Sequence, residues 1–218
     1  MTLEEAIAKI KPLDHNAMEI AQKRWDSIAK PLHSLGKLET LLIQIAGITG
    51  NAEVDLSRRG LIAMCADNGV VEEGVTQTGQ EVTAIVAENF LKYDTSVGVM
   101  CKQNHAEIFP VDMGMVTDTK VRTDHKIAYG TQNMTKGPAM TREQAVKGLE
   151  AGIDMVRELN DKGYRILATG EMGIGNTTTS SAVASVLLKQ PVEEMTGRGA
   201  GLTSEGLCLL YTSPSPRD

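Results

Sequence analysis

The chain has 218 residues, of which 41% are hydrophobic, 23% are charged and only 3% are aromatic. This is the composition of an ordinary globular protein whose core is built from aliphatic side chains rather than aromatic rings. The formal net charge of −6, from 22 basic and 28 acidic residues, argues against a nucleic-acid-binding protein.

Three helices are predicted in the N-terminal segment. Residues 2–5 form a capping-box pattern at the start of the first helix. The second is predicted over residues 16–30, and Pro31 ends it. Residues 35–50 repeat leucine and isoleucine at helical spacing and stop at glycines, which predicts the third. We expect residues 1–55 to form a helical subdomain.

From about Leu61 onward, short apolar runs alternate with amphipathic helical patterns. This alternation predicts an α/β fold with a doubly wound, mostly parallel, Rossmann-like sheet over residues 56–207. Such sheets bind ligands at the carboxyl ends of their strands. Strands are predicted at 61–66, 106–115, 126–130 and 164–170, and helices at 81–93, 95–105, 141–163 and 177–189.

Cysteine and histidine usage predicts neither disulfides nor a metal centre. Cys65, Cys101 and Cys208 are scattered and include no CxxC pair, which favours a reducing, cytoplasmic location. The four histidines lie far apart, as surface histidines do more often than metal ligands. We also expect no membrane span, because no run approaches the roughly 20 apolar residues needed, and the acidic N-terminal sequence is unlike a signal peptide.

A glycine-rich stretch, GEMGIGNTTTSSA at residues 170–182, follows the last predicted strand. Glycines there permit tight turns, and Asn176 or Thr177 is predicted to cap the next helix, whose free amide groups would form an anion site. The spacing matches neither a P-loop nor GxGxxG. Glu171 is predicted to lie inside the loop and indicates ribose hydroxyls or a cationic ring as well as phosphate. A purely structural turn is the alternative.

A second glycine loop, TGRGAGL, occupies residues 196–202. Two such loops suggest one phosphorylated ligand held from two sides, with Arg198 either pairing with the phosphate or lying at the surface. Asp67, Asn68 and Asp112 follow predicted strands, and each is as consistent with a turn as with a site.

Taken together, these segments resemble one family, the nicotinate-nucleotide–dimethylbenzimidazole phosphoribosyltransferases of cobalamin biosynthesis. The resemblance runs in the family's order from about Ala29 to Leu202, and GEMGIGNTT followed by TGRGAG is its most specific part. The matching stretches are SLGKLETL, CADNGVVEEGVT, EVTAIVAENF, FPVDMGM, GPAMTREQA, GEMGIGNTT and TGRGAGL.

The resemblance implies transfer of phosphoribose from nicotinate mononucleotide to 5,6-dimethylbenzimidazole, giving α-ribazole 5′-phosphate and nicotinate. The leaving pyridine nitrogen is already cationic, so the chemistry requires neither a metal nor a cofactor. It requires phosphate anchoring, stabilisation of an oxocarbenium-like ribose and a base for the benzimidazole proton. The resemblance also implies small-molecule substrates, a cytoplasmic enzyme and a homodimer.

By resemblance, Glu171 is a secondary catalytic group near the ribose, and Thr78 and Val86 belong to the benzimidazole pocket. Val86 stands where a glutamine is expected, which leaves the preferred base open, and Asn68 replaces a common histidine. The mononucleotide and its phosphate would be held by Gly173, Gly175, Asn176, Thr177, Thr178, Gly197, Gly199, Ala200 and Gly201.

The family's main base, a glutamate near its C-terminus, and a lysine after the second loop have no counterpart in the chain. We therefore expect a C-terminally truncated enzyme that is inactive alone, with a non-native tail at residues 208–218. A natural disordered terminus is the alternative for the tail. A non-catalytic nucleotide- or phosphate-binding module is the second interpretation of the whole chain. A nucleotide-dependent oxidoreductase is disfavoured, because no GxGxxG follows the first strand.

Overall fold

The computed structural model describes residues 1–199 together with residues 203 and 204. The chain divides into two compact units, Met1–Arg58 and a second unit that begins at Arg59. The regular structure of the first unit consists of helices α1 (Leu3–Ala8), α2 (His15–Ser27) and α3 (Lys37–Thr49).

Local sequence sets the ends of the first two helices. The Thr2 side chain accepts a hydrogen bond from the Glu5 amide and the Glu5 carboxylate accepts one from the Thr2 amide, which confirms the predicted capping box. Helix α2 ends short of Lys30, because Ile28 is already extended, with φ −75° and ψ 137°. A residue before proline avoids helical backbone, which accounts for Lys30 lying outside the helix but not for the end of the helix at Ser27.

Glu39 carries a buried carboxylate in the first turn of α3. Its Oε1 forms an ion pair with Lys30 Nζ at 2.8 Å and accepts a hydrogen bond from the Leu35 amide at 3.0 Å. The Lys30 ammonium group, and then the Leu35 amide, hold the pKa of Glu39 below its ordinary value. The carboxylate therefore ties the loop between α2 and α3 to the start of α3.

The second unit contains a three-stranded parallel sheet in the order β2-β1-β3. Its strands are β1 (Arg59–Ala66), β2 (Ala106–Gly114) and β3 (Ile166–Met172). A 3₁₀ helix (Gly69–Glu73) follows β1, and the described helices are α4 (Glu81–Lys92), α5 (Ser96–Gln103), α6 (Arg142–Asp161), α7 (Asn176–Leu188) and α8 (Val192–Met195).

Helices cover this sheet on both faces. On one face, Cys65 of β1 belongs to a buried cluster with Phe90 of α4, to which α5 also contributes. On the other face, Ile62 packs with Met155 and Leu159 of α6. Neighbouring residues of a strand point to opposite faces, so β1 is buried from both sides, as a central parallel strand should be. The predicted doubly wound α/β fold is thereby confirmed.

The outer edge of β2 has its amide groups occupied. The Ile108 amide donates to the Tyr93 hydroxyl at 3.4 Å, and the Asp112 amide donates to the Arg122 carbonyl at 2.8 Å. Between them, Pro110 has no N–H to donate. An edge with few free amide groups offers little for another strand to pair with.

Residues 126–130, predicted as a strand, do not form one. The segment follows β2 through separate hydrogen bonds, from the Ile127 amide to the Met113 carbonyl at 3.0 Å and from the Gly130 amide to the Gly114 carbonyl at 2.9 Å. Gly130 has a φ of +82°, and left-handed backbone cannot continue a strand. Between these two hydrogen bonds the segment advances three residues while β2 advances one, so no regular ladder forms, and Gly130 then turns the chain.

Two glycines inside helices test the packing of the second unit. A Cβ at Gly98 of α5 would lie 2.7 Å from Tyr93 Cα, whereas one at Gly152 of α6 would meet no atom within 4 Å. We expect Gly98→Ala to lower the free energy of unfolding by about 1–3 kcal/mol. The matched change Gly152→Ala should raise it by about 0.5–1 kcal/mol. Urea unfolding of the two variants checks this, and equal effects would contradict the packing described.

A pH series tests the Glu39 pair. A carboxyl group whose pKa is lowered on folding stabilises the protein above its unfolded pKa, and that contribution disappears as the pH falls through the folded value. The stability advantage of wild type over Glu39→Gln should therefore be greatest near neutral pH and shrink below the ordinary glutamate pKa of 4.5. Thermal unfolding across this range is the measurement. Glu19→Gln is the control, because Glu19 and Lys23 form an exposed pair of small expected effect.

Candidate active site

The carboxyl ends of the three strands bring the sequence-predicted loops to one edge of the sheet. Strand register pairs Cys65 of β1 with Asp112 of β2 and with Met172 of β3. Burial, followed by the nearby Asp112 carboxylate, raises the pKa of Cys65 to about 12. The thiol is therefore protonated at neutral pH and supplies no nucleophile here.

Asp67 and Asp112 are fully buried at this edge and organise the chain after β2. Asp67 Oδ2 accepts from the Val116 amide at 2.8 Å, and Asp112 Oδ1 accepts from the Gly114 and Met115 amides at 2.9 and 2.8 Å. Asp112 Oδ2 also lies 3.1 Å from Lys126 Nζ. These contacts fit turn formation, but Asp67 Oδ1 and Asp112 Oδ2 are buried and accept no hydrogen bond from the described residues, so the site interpretation stays open.

Glu171 lies in strand β3 rather than inside the glycine loop, where the sequence interpretation put it. The pairing of β1 with β3 continues through Glu171 and Met172 before the backbone turns. The Glu171 side chain is exposed, and its Oε1 accepts a hydrogen bond from Asn176 Nδ2 at 2.6 Å. The carboxylate therefore stands at the strand end, oriented toward the first residue of α7.

The start of α7 also differs from the prediction. Its N-cap is Gly175, with a φ of +88°, whereas Asn176 or Thr177 was predicted as the cap. A left-handed cap position favours glycine, and Asn176 becomes the first helical residue. The Asn176 amide donates to the Gly173 carbonyl, the Thr177 amide to Asn176 Oδ1 and the Thr178 amide to the Gly175 carbonyl. These first-turn amides are thus bonded within the loop, so the expectation of free groups for an anion is wrong for them.

The described part of the second glycine loop lies beside the first. A Cβ at Gly199 would lie 2.8 Å from Thr177 Oγ1, so the two loops meet at the start of α7. Gly197 and Arg198 are exposed, and the Arg198 guanidinium donates to Ser204 Oγ at 3.1 Å. Two further predicted phosphate-site residues, Ala200 and Gly201, lie outside the described residues, as does the predicted tail at 208–218.

The two residues predicted for the base pocket lie on either side of the first turn of α4. Thr78 is exposed, and its carbonyl accepts from Thr76 Oγ1 at 2.8 Å. Val86 is half-buried and packs against the cluster that contains Cys65 and Phe90. Its side chain therefore contributes to the core beneath this edge.

Thr83 is a contact residue that the sequence interpretation did not single out. It is fully buried in α4, and its Oγ1 accepts from the Ile174 amide of the first glycine loop at 3.1 Å. Thr83 shares the buried face of α4 with Ala84, Ala87 and Phe90. A polar residue on an otherwise apolar helix face was the available signal.

A separate cavity of about 240 Å³ opens between the ends of β1 and β2 and the start of α6. Small and apolar residues line it, among them Ala66, Gly114, Ala145 and Gly148, and none of the predicted site residues does. Over residues 1–199, 203 and 204, no cluster of three or more metal-ligating side chains occurs. Within the same residues, no helix is both long and apolar enough to span a membrane.

Comparison with known proteins identifies close relatives. The nicotinate-nucleotide–dimethylbenzimidazole phosphoribosyltransferases of Ruminiclostridium cellulolyticum and Clostridium tetani are 51% and 47% identical over 209 and 206 residues. These alignments cover 95% and 94% of this chain but 59% and 57% of the relatives, so the chain spans about three fifths of their length.

A solved structure agrees with the fold. The crystal structure of CobT from Thermus thermophilus is similar with a TM-score of 0.83 and 35% identity, covering 91% of this chain and 60% of that one. A family model described as Phosphoribosyltransferase (DBI_PRT) matches residues 10–209. Since this match covers most of the sequence and includes both glycine loops, the chain belongs to this phosphoribosyltransferase family.

Proposed function

We propose that the protein carrying this chain transfers phosphoribose from nicotinate mononucleotide to 5,6-dimethylbenzimidazole in cobalamin biosynthesis. The products are α-ribazole 5′-phosphate and nicotinate. The proposal is supported by the names of the relatives, which share about half of their aligned residues with this chain. The observation that carries it in this structure is the meeting of the two glycine loops beside Glu171 and Asn176.

The chemistry of this edge suits a displacement at ribose C1′. The bond from C1′ to the cationic pyridine nitrogen breaks, and a bond from C1′ to a benzimidazole nitrogen forms on the opposite face of the ribose. The benzimidazole then loses its N–H proton to a general base. Positive charge develops on the ribose in between, and a carboxylate close to the sugar stabilises it. Glu171 is exposed and held by Asn176, so it is available for this electrostatic role or for the ribose hydroxyls.

The proposed mononucleotide site comprises the first loop, with Gly173, Gly175, Asn176, Thr177 and Thr178, and the second, with Gly197, Gly199, Ala200 and Gly201. In the first loop the amides of Asn176, Thr177 and Thr178 already have partners. The Asn176 side chain is bonded at both ends, to Glu171 and to the Thr177 amide, so the phosphate is assigned to groups of the second loop and to the Thr177 side chain. Thr78 and Val86 are proposed for the acceptor base.

We also propose the substrate class, the location and the oligomeric state of the protein. Small-molecule substrates, and no nucleic acid, fit a chain whose formal charge is −6. A cytoplasmic homodimer is proposed from the family resemblance. The cytoplasmic location also fits the buried free thiols of Cys65 and Cys101, which a reducing compartment preserves.

Product analysis tests the function directly. The purified protein is incubated with nicotinate mononucleotide and 5,6-dimethylbenzimidazole, and the mixture is separated by liquid chromatography. We expect nicotinate and α-ribazole 5′-phosphate in equal amounts from a protein that carries this chain together with the family's C-terminal glutamate and lysine, and neither product from the 218 residues alone. Saturable binding of the mononucleotide without either product in the former would support the non-catalytic binding module instead. No binding at all would contradict both.

Glu171→Gln tests the carboxylate. The change preserves the shape of the side chain and removes its charge, so the interaction with a developing positive charge is lost. We expect the rate of nicotinate release to fall by about 10²-fold, with little change in the unfolding temperature because the side chain is exposed. Glu143→Gln, an exposed carboxylate on α6 paired with Lys147, is the matched control and should retain the wild-type rate.

Gly175→Val tests the loop as the mononucleotide site. Gly175 has a φ of +88°, and its Cβ would lie 3.1 Å from Val71 Cγ2, so a β-branched residue is strained at this position. We expect the affinity for nicotinate mononucleotide, measured by titration calorimetry, to fall about tenfold or more. An unchanged affinity in a folded variant would remove the loop from the site.

A further inference from the structure

The central residue of the first glycine loop is held at both of its backbone polar groups. The Ile174 amide donates to Thr83 Oγ1 of α4 at 3.1 Å, and the Ile174 carbonyl accepts from Asn68 Nδ2 at 3.0 Å. Asn68 follows β1, so the two side chains reach Ile174 from different elements. Both contacts join residues that are distant in sequence, so the loop backbone is fixed by the fold rather than by its neighbours in the chain.

The orientation of the Asn68 amide is itself determined. A carbonyl oxygen can only accept, so the amide nitrogen of Asn68 must face Ile174. The other end, Asn68 Oδ1, accepts from Thr179 Oγ1 of α7 at 3.2 Å. Gln80 Nε2 donates to the Asn68 carbonyl at 3.0 Å. The side chain and backbone of Asn68 therefore connect the start of α4, the glycine loop and α7.

Steric contact fixes the loop from a further direction. A Cβ at Gly173 would lie 2.2 Å from the Ala66 carbonyl oxygen and 2.9 Å from Asn68 Nδ2, so the loop backbone lies directly against the end of β1. Only glycine permits this approach. Ile174 lies between Met172, the last residue of β3, and Asn176, the first residue of α7, so its position determines how the chain passes from β3 into α7.

We infer that Thr83 and Asn68 are positioning residues that hold the first glycine loop in its binding conformation before the substrate arrives. The inference rests on the proposed function, because it assigns the loop to nicotinate mononucleotide. A loop that is already ordered loses less conformational freedom on binding, and the ligand binds more tightly as a result. Neither side chain is required to touch the substrate for this effect.

The test combines one readout that does not involve substrate with one that does. Amide hydrogen exchange at Ile174 is measured by nuclear magnetic resonance in the ligand-free protein, and mononucleotide affinity is measured by titration calorimetry. Thr83→Val removes the acceptor while keeping the side-chain shape, and Thr83→Ser keeps the hydroxyl. Asn68→Asp removes the donor to the Ile174 carbonyl, which provides a second variant should Thr83→Val fold poorly.

Thr135→Val is the matched control. Its hydroxyl bonds to Glu73 and Asn133, away from the loop. We expect Thr83→Val and Asn68→Asp to speed Ile174 exchange and weaken mononucleotide binding, each about tenfold. Thr83→Ser should restore both, and Thr135→Val should change neither, even where it lowers the free energy of unfolding.

The possible results of these measurements distinguish a failure of the positioning inference from a failure of the proposed function. Unchanged Ile174 exchange in Thr83→Val and Asn68→Asp would overturn the positioning inference whatever the affinity. Faster exchange with unchanged affinity would overturn it too, because the held conformation would then not matter to the ligand. A wild-type protein that shows slow Ile174 exchange but binds no mononucleotide would overturn the proposed function, and the positioning role would fall with it.

Discussion

Strand β1 makes backbone hydrogen bonds along both of its edges, and the positions of the other elements in the second unit follow from this double pairing. Its parallel neighbours arrive only through crossovers, so helices must lie over the sheet on both faces. The same geometry delivers the ends of all three strands to one edge. Asn68, Val116 and Glu171 are therefore brought to the same edge although they are distant in sequence.

The carboxylates at that edge differ in burial, and this difference separates a structural role from a possible role in ligand binding. Asp67 and Asp112 are buried and bonded to backbone amides, so they stabilise the turn after β2. Glu171 is exposed and accepts a hydrogen bond from the Asn176 side chain, so its exposure leaves it available to a ligand. Residue type alone does not distinguish these carboxylates, whereas their burial and partners do.

The sequence predicted the element types well because apolar spacing reports burial directly, as at Ala63 to Cys65 in β1 and along α4. It was less successful where a single backbone angle decides the outcome. Gly130 turns the chain at 126–130, and Gly175 takes the cap position from Asn176, and neither follows from hydrophobic pattern. The sequence prediction also ended β3 too early. It placed Glu171 in the loop, whereas Glu171 pairs with Met64 of β1. The contacts of Thr83 and Asn68 with Ile174 span long separations and required the fold itself.

The two outer edges of the sheet differ, because the edge of β3 is not covered by a described strand whereas the edge of β2 is occupied. Pro110 and the chain near Arg122 close that side, so lateral growth there would first have to displace existing hydrogen bonds. Beyond β3, by contrast, no strand is present among the described residues. A strand that extends this sheet, whether from the same polypeptide or from another molecule, would then add next to Glu171. Such a strand would extend the sheet and cover the candidate site at the same time.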